Sequence, residues 1–277
     1  MKIKFSKMHG LGNDFIVINN LELQHPFSPE QIRYLADRKF GIGCDQVLLI
    51  ERATDGVSDF FYRIFNSDGS IAGQCGNGAR CFIRFVVERG LISQSKVYLQ
   101  TLDRVITGAL LHDDIVEVDM GVPNFIPSQI PLNATEQKSY FLDIGTEQVE
   151  FFAVSMGNPH AVIKLPERSL LTDDEYLSQI AMALQQSEFF PESVNVNFVY
   201  VDNHQQISLR TFERGCGFTL ACGSGACASA SIAIRESWAD SLVKVVMLGG
   251  NLDIEWHGVN LIMRGQATFV FDGELEL

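Results

Sequence analysis

Two short strings hold the residues most able to do chemistry: Cys75-Gly76-Asn77-Gly78-Ala79 and Cys222-Gly223-Ser224-Gly225-Ala226, 147 residues apart. A thiol becomes a nucleophile or proton acceptor once ionised, and a helix N-terminus draws its pKa from about 8.5 towards neutrality. Asn77 and Ser224 are residue types that favour N-cap positions, so each string reads as the start of a helix whose first amides and positive dipole end lie beside the cysteine. Those amides also suit a carboxylate. Met once, the string reads equally well as a Gly-rich turn in front of a buried helix. Met twice, it asks for a joint role. Inverting a stereocentre by proton transfer needs a base on one face of the carbon and an acid on the other, and a thiolate with a thiol forms such a pair. Two helix N-termini converging on one α-carboxylate would hold the enolate-like charge that develops as the proton leaves.

The elements that must position the two cysteines are themselves repeated. Arg63, Phe65, Cys75, Gly76, Gly78 and Ala79 align without a gap on Arg210, Phe212, Cys222, Gly223, Gly225 and Ala226. Upstream, "GNDFIVI" from Gly12 resembles "GNPHAVI" from Gly157. Ser28 with Gln31 and Thr172 with Glu175 repeat a capping-box pattern. A duplicated domain is the economical reading. Apolar or alternating runs such as "DFIVIN", "QVLLIE", "FYRIF", "HAVIKL", "NFVYVD" and "ISLRTF" predict strands joined mostly by short turns. Helical segments are predicted at about 29–38, 79–89, 173–186 and 226–237. "ACASASIAI" is small or apolar nearly all round, the mark of a helix enclosed on every side. The expected fold is therefore α+β. It has two pseudo-symmetric domains, each a curved, mainly antiparallel β-sheet or barrel around a central helix, with the active site in the interdomain cleft. Residues 1–119 with about 265–277 form one half and residues 120–264 the other, and Pro123 to Asn133, with three prolines, marks a crossing.

Composition bounds the partners. A chain of 277 residues with 46% hydrophobic residues can bury a full core, its length lies between a large single domain and two small ones, and a formal charge of −13 argues against binding a phosphate backbone. No apolar run approaches the roughly 20 residues that span a bilayer, and the start of the chain has no signal-peptide pattern. A cytoplasmic protein with no membrane or nucleic-acid partner is expected. In that setting the six cysteines are read as reduced, and their spacings match no zinc site, so no metal is expected.

Six motifs together carry a family resemblance: "HGLGNDF" from His9, "FGIGCDQ" from Phe40, "CGNGAR" from Cys75, "GNPHAV" from Gly157, "VNVNF" from Val194 and "ERGCGFTLACGSGACA" from Glu213. In this order, over nearly the whole chain, they resemble the diaminopimelate epimerases. The resemblance implies a cofactor-independent isomerase, without pyridoxal phosphate, that interconverts LL- and meso-2,6-diaminopimelate in lysine and cell-wall precursor biosynthesis, usually as a homodimer. It implies Cys75 and Cys222 as the proton-transfer pair, with His160 and Glu213 tuning them. Gly76, Asn77, Gly223 and Ser224 are implied to hold the reacting α-carboxylate. Asn13, Gln46, Asn66, Asn158, Asn195, Glu213 and Arg214 are implied to bind the rest of the substrate. The residue types agree: Arg214 suits a carboxylate bidentately, and Glu213 suits an ammonium.

Plainer readings stand beside these. Asn13 and Asn158 also suit turns, His160 a structural site, and Glu213 with Arg214 a surface ion pair. Glu213 and Arg214 replace Asn66 and Ser67 of the first repeat, however, a break in symmetry that suits a ligand with two different ends. The chain departs from the family in having Phe218 where Glu is usual and Cys44 where Ala is common; the first puts a polar contact near Cys222 in doubt. Cys81 and Cys227 are read as packing residues. Three rival functions stay open: a related racemase such as a proline racemase, a cysteine hydrolase using His160, and a non-catalytic amino-acid-binding homologue.

Overall fold

Phe15 to Ile18 and Val47 to Ile50 are apolar without alternation because the strands they form are covered on both faces. The computed structural model describes residues 1–73, 75–145 and 147–277. The chain divides into two units, Met1–Asp119 with Arg264–Leu277, and Met120–Met263.

The first unit contains β1 (Lys2–Gly10), β2 (Asn13–Asn19), α1 (Pro29–Ala36), β3 (Gln46–Arg52), β4 (Phe60–Asn66), β5 (Ile71–Ala72), α2 (Gly76–Glu88), β6 (Lys96–Gln100), β7 (Val105–His112) and β8 (Ile115–Asp119). The second contains β9 (Tyr140–Ile144), β10 (Glu147–Ser155), β11 (Pro159–Lys164), α3 (Asp174–Gln185), β12 (Asn195–Asn203), β13 (Gln206–Glu213), β14 (Gly217–Thr219), α4 (Gly223–Arg235), β15 (Leu242–Met247) and β16 (Gly250–Glu255). Within β17 (Ile262–Gln266) the chain returns to the first unit, and β18 (Thr268–Glu276) pairs antiparallel with β1.

Pairing repeats from unit to unit. β1–β2 and β3–β4 are antiparallel, as are β10–β11 and β12–β13. β2–β3 and β4–β6 are parallel, matched by β11–β12 and β13–β15. The parallel pairs fall where a helix carries the chain between strands, since parallel neighbours need a long crossover. The sheets are therefore mixed.

One sheet face packs on the outer helix and the other on the enclosed one. Ile16, Ile18, Val47 and Leu49 bury against Ile32 and Leu35 of α1, and α2 lies against β1, β2, β3, β7 and β8. In the second unit Ala161, Ile163, Val196 and Phe198 bury against Leu177, Ile180 and Leu184 of α3, while α4 lies against β10 to β13, β15 and β16. Each buried Leu or Ile contributes about 1.5–3 kcal/mol, so these layers fix the strands that carry the polar groups described below.

Helix starts differ in part from those the sequence pattern predicts. Ser28 and Gln31 form the expected capping box, but α3 is capped by Asp173, which accepts from Tyr176 N at 3.0 Å, rather than by Thr172. α2 and α4 begin at Gly76 and Gly223, earlier than Ala79 and Ala226, because helical hydrogen bonds already run from Ala79 N to Cys75 O and from Ala226 N to Cys222 O. β1, β7 and β9 add strands that no continuous apolar run announced.

Candidate active site

In the first unit, β4, β5 and their turn deliver Cys75 in an extended conformation (φ −148°, ψ 114°), and the cysteine itself is the N-cap of α2. Its sulfur accepts from Gly78 N at 3.4 Å, and Tyr62 Oη donates to its carbonyl at 3.1 Å. Asn77, expected as the cap, instead lies in the first turn, because an extended residue followed by Gly-Asn-Gly already supplies the starting carbonyl. Its Oδ1 accepts from Arg80 at 3.0 Å and its Nδ2 donates to Asn13 Oδ1 at 3.4 Å. Asn13 Oδ1 also faces the Cys75 thiol, which donates to it at 3.6 Å. The flip of Asn13 is set by Asp45, whose carboxylate accepts its Nδ2 at 2.9 Å and is itself held by Arg38 at 2.8 Å. Asn13, Cys75 and Asn77 thus form one hydrogen-bonded group.

Gln46 and Asn66 are register partners on β3 and β4, and Gln46 Nε2 donates to Asn66 Oδ1 at 2.9 Å. Gln46 Oε1 is buried without a hydrogen-bond partner. A buried acceptor in that condition is satisfied by an incoming donor such as an ammonium.

In the second unit Cys222 takes the N-cap position of α4 with the same extended backbone (φ −122°, ψ 112°), but its side chain makes no capping hydrogen bond. Here the thiol donates to Glu213 Oε2 at 3.2 Å, and Ser224 Oγ lies 3.6 Å from the sulfur. The other carboxylate oxygen, Oε1, accepts from Thr219 Oγ1 at 2.6 Å. Burial, and after it the Glu213 charge, push the Cys222 thiol well above its usual range. The lowered pKa expected from the helix terminus is therefore overridden in this thiol, since desolvation outweighs what Ser224 and the Gly225 amide offer.

Within the second unit His160 reaches Cys222 only through intermediaries. Its Nε2 donates to Asn158 Oδ1 and its Nδ1 accepts from Asn197 Nδ2, both at 3.1 Å. Asn158 Nδ2 then donates to Ser224 Oγ at 3.5 Å. Burial, with the Arg214 charge second, lowers the His160 pKa to about 3, so the ring is neutral at physiological pH. Asn195 Oδ1 accepts from Arg214 N at 3.0 Å and its Nδ2 donates to Pro159 O at 3.2 Å. The exposed Arg214 guanidinium donates to Glu192 O at 2.8 Å, so Glu213 and Arg214 do not form the ion pair their adjacency allowed.

Phe218 lies on the other face of its strand. It packs edge to face on Phe212 at 5.0 Å, and the Arg210 guanidinium stacks over its ring at 4.5 Å. Strand alternation sends its neighbour Thr219 to Glu213 instead. The polar contacts of Cys222 thus come from Glu213 and Ser224, and Phe218 takes no part in them. Cys44 packs in the α1 layer and Cys81 inside the first unit, and burial pushes both thiols up to about 12. Among the described residues no group of three or more His, Cys, Asp or Glu is placed to hold a metal.

Thr219, Asn197, Thr211 and Asp45 join the site without having been singled out in the sequence. Only the hairpin register, which sets Thr219 against Thr211 and Gly217 against Glu213, could have pointed to the first. Chemically, each unit presents a thiol at a helix N-terminus beside first-turn amides, and the second unit adds a carboxylate that can take the thiol proton.

The chain matches the family model described as Diaminopimelate epimerase over residues 5–126 and 152–270. It is 47% identical over 280 residues to a Nitrosospira multiformis protein named Diaminopimelate epimerase, covering 100% of this chain and 99% of that one. A Chromobacterium violaceum protein of the same name is 45% identical, with 100% of both chains covered. Among solved structures, a probable proline racemase from Agrobacterium radiobacter K84 superposes with a TM-score of 0.73 at 14% identity, over 99% of this chain and 93% of that one. That likeness is one of fold.

Proposed function

Because the chain belongs to the diaminopimelate epimerase family, we propose that it interconverts LL- and meso-2,6-diaminopimelate by passing the α-proton between two thiols, without a cofactor. The observation that carries this reading is the repeated placement of a cysteine as the N-cap of α2 and of α4, each beside its own polar group. One thiolate removes the α-proton, and the other thiol delivers a proton to the opposite face. Transfer of the Cys222 proton to Glu213 Oε2, its present hydrogen-bond partner, generates a thiolate. The first-turn amides at Gly76, Asn77, Gly223 and Ser224 hold the α-carboxylate and stabilise the charge that develops next to it.

The rest of the substrate is assigned to Asn13, Gln46, Asn66, Asn158, Asn195, Glu213 and Arg214. The unpartnered Gln46 carbonyl supports an ammonium-binding role, and the exposed Arg214 guanidinium suits the distal carboxylate. His160 tunes the second thiol through Asn158 and Ser224. The same reading places the protein in the cytoplasm, in lysine and peptidoglycan precursor biosynthesis, as a homodimer. The exposed Val270 and Phe271 of β18 supply apolar surface for such an association, which sedimentation equilibrium tests.

The test of activity is incubation of reduced protein with LL-diaminopimelate and no added cofactor, followed by separation of the stereoisomers. Formation of the meso isomer supports the proposal. Racemisation of L-proline with no conversion of diaminopimelate overturns it in favour of a proline racemase.

A further inference from the structure

The repeated register lets positions be matched between the units. Phe15 pairs with Gln46 as His160 pairs with Asn195, and Leu48 faces Ile64 as Asn197 faces Thr211. In the first unit the trio Phe15, Leu48 and Ile64 is apolar and buried. It lies beneath the first turn of α2, next to the Tyr62 hydroxyl: a Cβ added to Gly78 would collide with Tyr62 Oη and stand 3.3 Å from Phe15 and 3.4 Å from Leu48. In the second unit the matching trio is His160, Asn197 and Thr211, exposed by only 0%, 0% and 3%. It lies beneath the first turn of α4, where a Cβ on Gly225 would come within 2.5 Å of Asn197 Oδ1 and 3.1 Å of Thr211 Oγ1. Burying polar side chains where apolar ones serve the same position costs stability. Their presence on one side only calls for a use.

The trio forms a hydrogen-bond chain with one direction. Thr211 Oγ1 donates to Asn197 Oδ1, Asn197 Nδ2 to His160 Nδ1, and His160 Nε2 to Asn158 Oδ1, each at 3.1 Å. Asn158 Nδ2 donates to Ser224 Oγ at 3.5 Å, and Ser224 Oγ stands 3.6 Å from Cys222 Sγ. An amide NH₂ only donates, so His160 Nδ1 is an acceptor and the ring proton sits on Nε2. With the Cys222 proton given to Glu213 Oε2, the hydrogen between Ser224 Oγ and the sulfur is the one Ser224 supplies. In the first unit the matching asparagine is reversed: Asn13 gives its amide to Asp45 at 2.9 Å and shows its carbonyl to the Cys75 thiol at 3.6 Å.

We propose that Asn197, backed by Thr211, is a positioning residue that locks His160 in the Nε2–H tautomer and so, through Asn158 and Ser224, aims a hydrogen-bond donor at Cys222 on the side away from Glu213. Burial and the Glu213 carboxylate keep the proton on Cys222 at rest; the donor at the end of the chain is there to stabilise the thiolate left once Glu213 takes that proton. This rests on the epimerase reading for its use in catalysis, though the tautomer itself does not.

The test is ¹⁵N NMR of His160 in the ligand-free protein near neutral pH, with kinetics on the same samples. In the unaltered protein Nδ1 is expected to resonate as an unprotonated and Nε2 as a protonated imidazole nitrogen. The isosteric Asn197→Asp replaces the donor by an acceptor and is expected to move the proton to Nδ1. Asn197→Leu, which installs the first unit's residue, is expected to mix the tautomers. Both are expected to lower kcat for epimerisation about tenfold, the value of one charge-assisted hydrogen bond. The triple variant His160→Phe, Asn197→Leu, Thr211→Ile is expected to lose no more than His160→Phe alone, since groups acting as one chain are non-additive. A proton on Nδ1 of the unaltered protein overturns the proposal, as does a kcat loss in Asn197→Asp with the tautomer unchanged. An inert protein that still shows the Nε2–H tautomer overturns the epimerase reading and leaves the lock standing.

Discussion

The Cys222 thiol donates to the Glu213 carboxylate at 3.2 Å, and Thr219 holds the far oxygen of that carboxylate at 2.6 Å. The pair is a thiol with its proton acceptor already in place, oriented by a third group. Glu213→Gln keeps the shape and removes the acceptor, so kcat is expected to fall on the order of 100-fold or more, the scale of a lost general base. Thr219→Val frees the carboxylate without removing it and is expected to cost about tenfold. Steady-state epimerisation rates for the two variants, which should rank in that order, check the assignment.

The cysteines should separate into two classes. Cys75→Ser and Cys222→Ser are each expected to lower epimerisation by about 1,000-fold or more, because either removes one of two required bases. Cys44→Ala and Cys81→Ala sit in packed layers and are expected to cost about 1 kcal/mol or more of stability with little change in kcat. Equal losses of activity in all four would remove the two-thiol assignment.

The close approach of each helix start to the strands below has its own test. A Cβ on Gly78 would collide with the Tyr62 hydroxyl and one on Gly225 with Asn197 Oδ1. Gly78→Ala and Gly225→Ala are therefore expected to destabilise by about 1–3 kcal/mol in urea unfolding. Adding Tyr62→Phe to Gly78→Ala removes the obstructing atom, so the double variant should recover part of the loss. Strictly additive effects would contradict the contact.

The Cys75 and Cys222 strings, with their glycines and the matching Arg and Phe upstream, disclose the duplication in the sequence itself, because tight turns and close helix approach leave little freedom of residue type. The exact helix start is not legible there, since Asn77 and Ser224 are better cap formers than cysteine, and only the backbone shows that a cysteine takes the N-cap position in both. The polar trio is hidden for a different reason. "VNVNF" alternates polar with apolar as a strand facing water does, yet Asn195 and Asn197 face inward. Alternation reports that two faces differ and does not reveal that both are buried, Val196 and Phe198 against α3 and the asparagines on the opposite face. Thr219 is concealed by a contact made across a hairpin, which depends on register rather than on neighbours in sequence.

His160 gives the stability curve a distinctive segment. Its pKa is lowered to about 3 in the fold, by burial first and the Arg214 charge second, against about 6.5 when unfolded. Between these values the unfolded chain binds the extra proton. Stability is thus fully present above about pH 6.5 and falls as pH drops towards 3, by up to about 1.4 kcal/mol per unit. Urea unfolding from about pH 6.5 to 5, above the usual carboxylate range, should show this slope in the unaltered protein and a flatter one in His160→Phe. Identical slopes would contradict a buried neutral ring.

The measurement that bears most directly on the central claim is α-proton exchange in deuterated water. Reduced protein is incubated with LL-diaminopimelate and no added cofactor, and both the meso product and the remaining substrate are followed by mass spectrometry and NMR. Two-thiol transfer predicts meso product carrying one solvent deuterium at the inverted α-carbon, because the thiol that reprotonates it is equilibrated with solvent. Folded, reduced protein that gives neither exchange nor meso product, or meso product that retains the original α-proton, would contradict it.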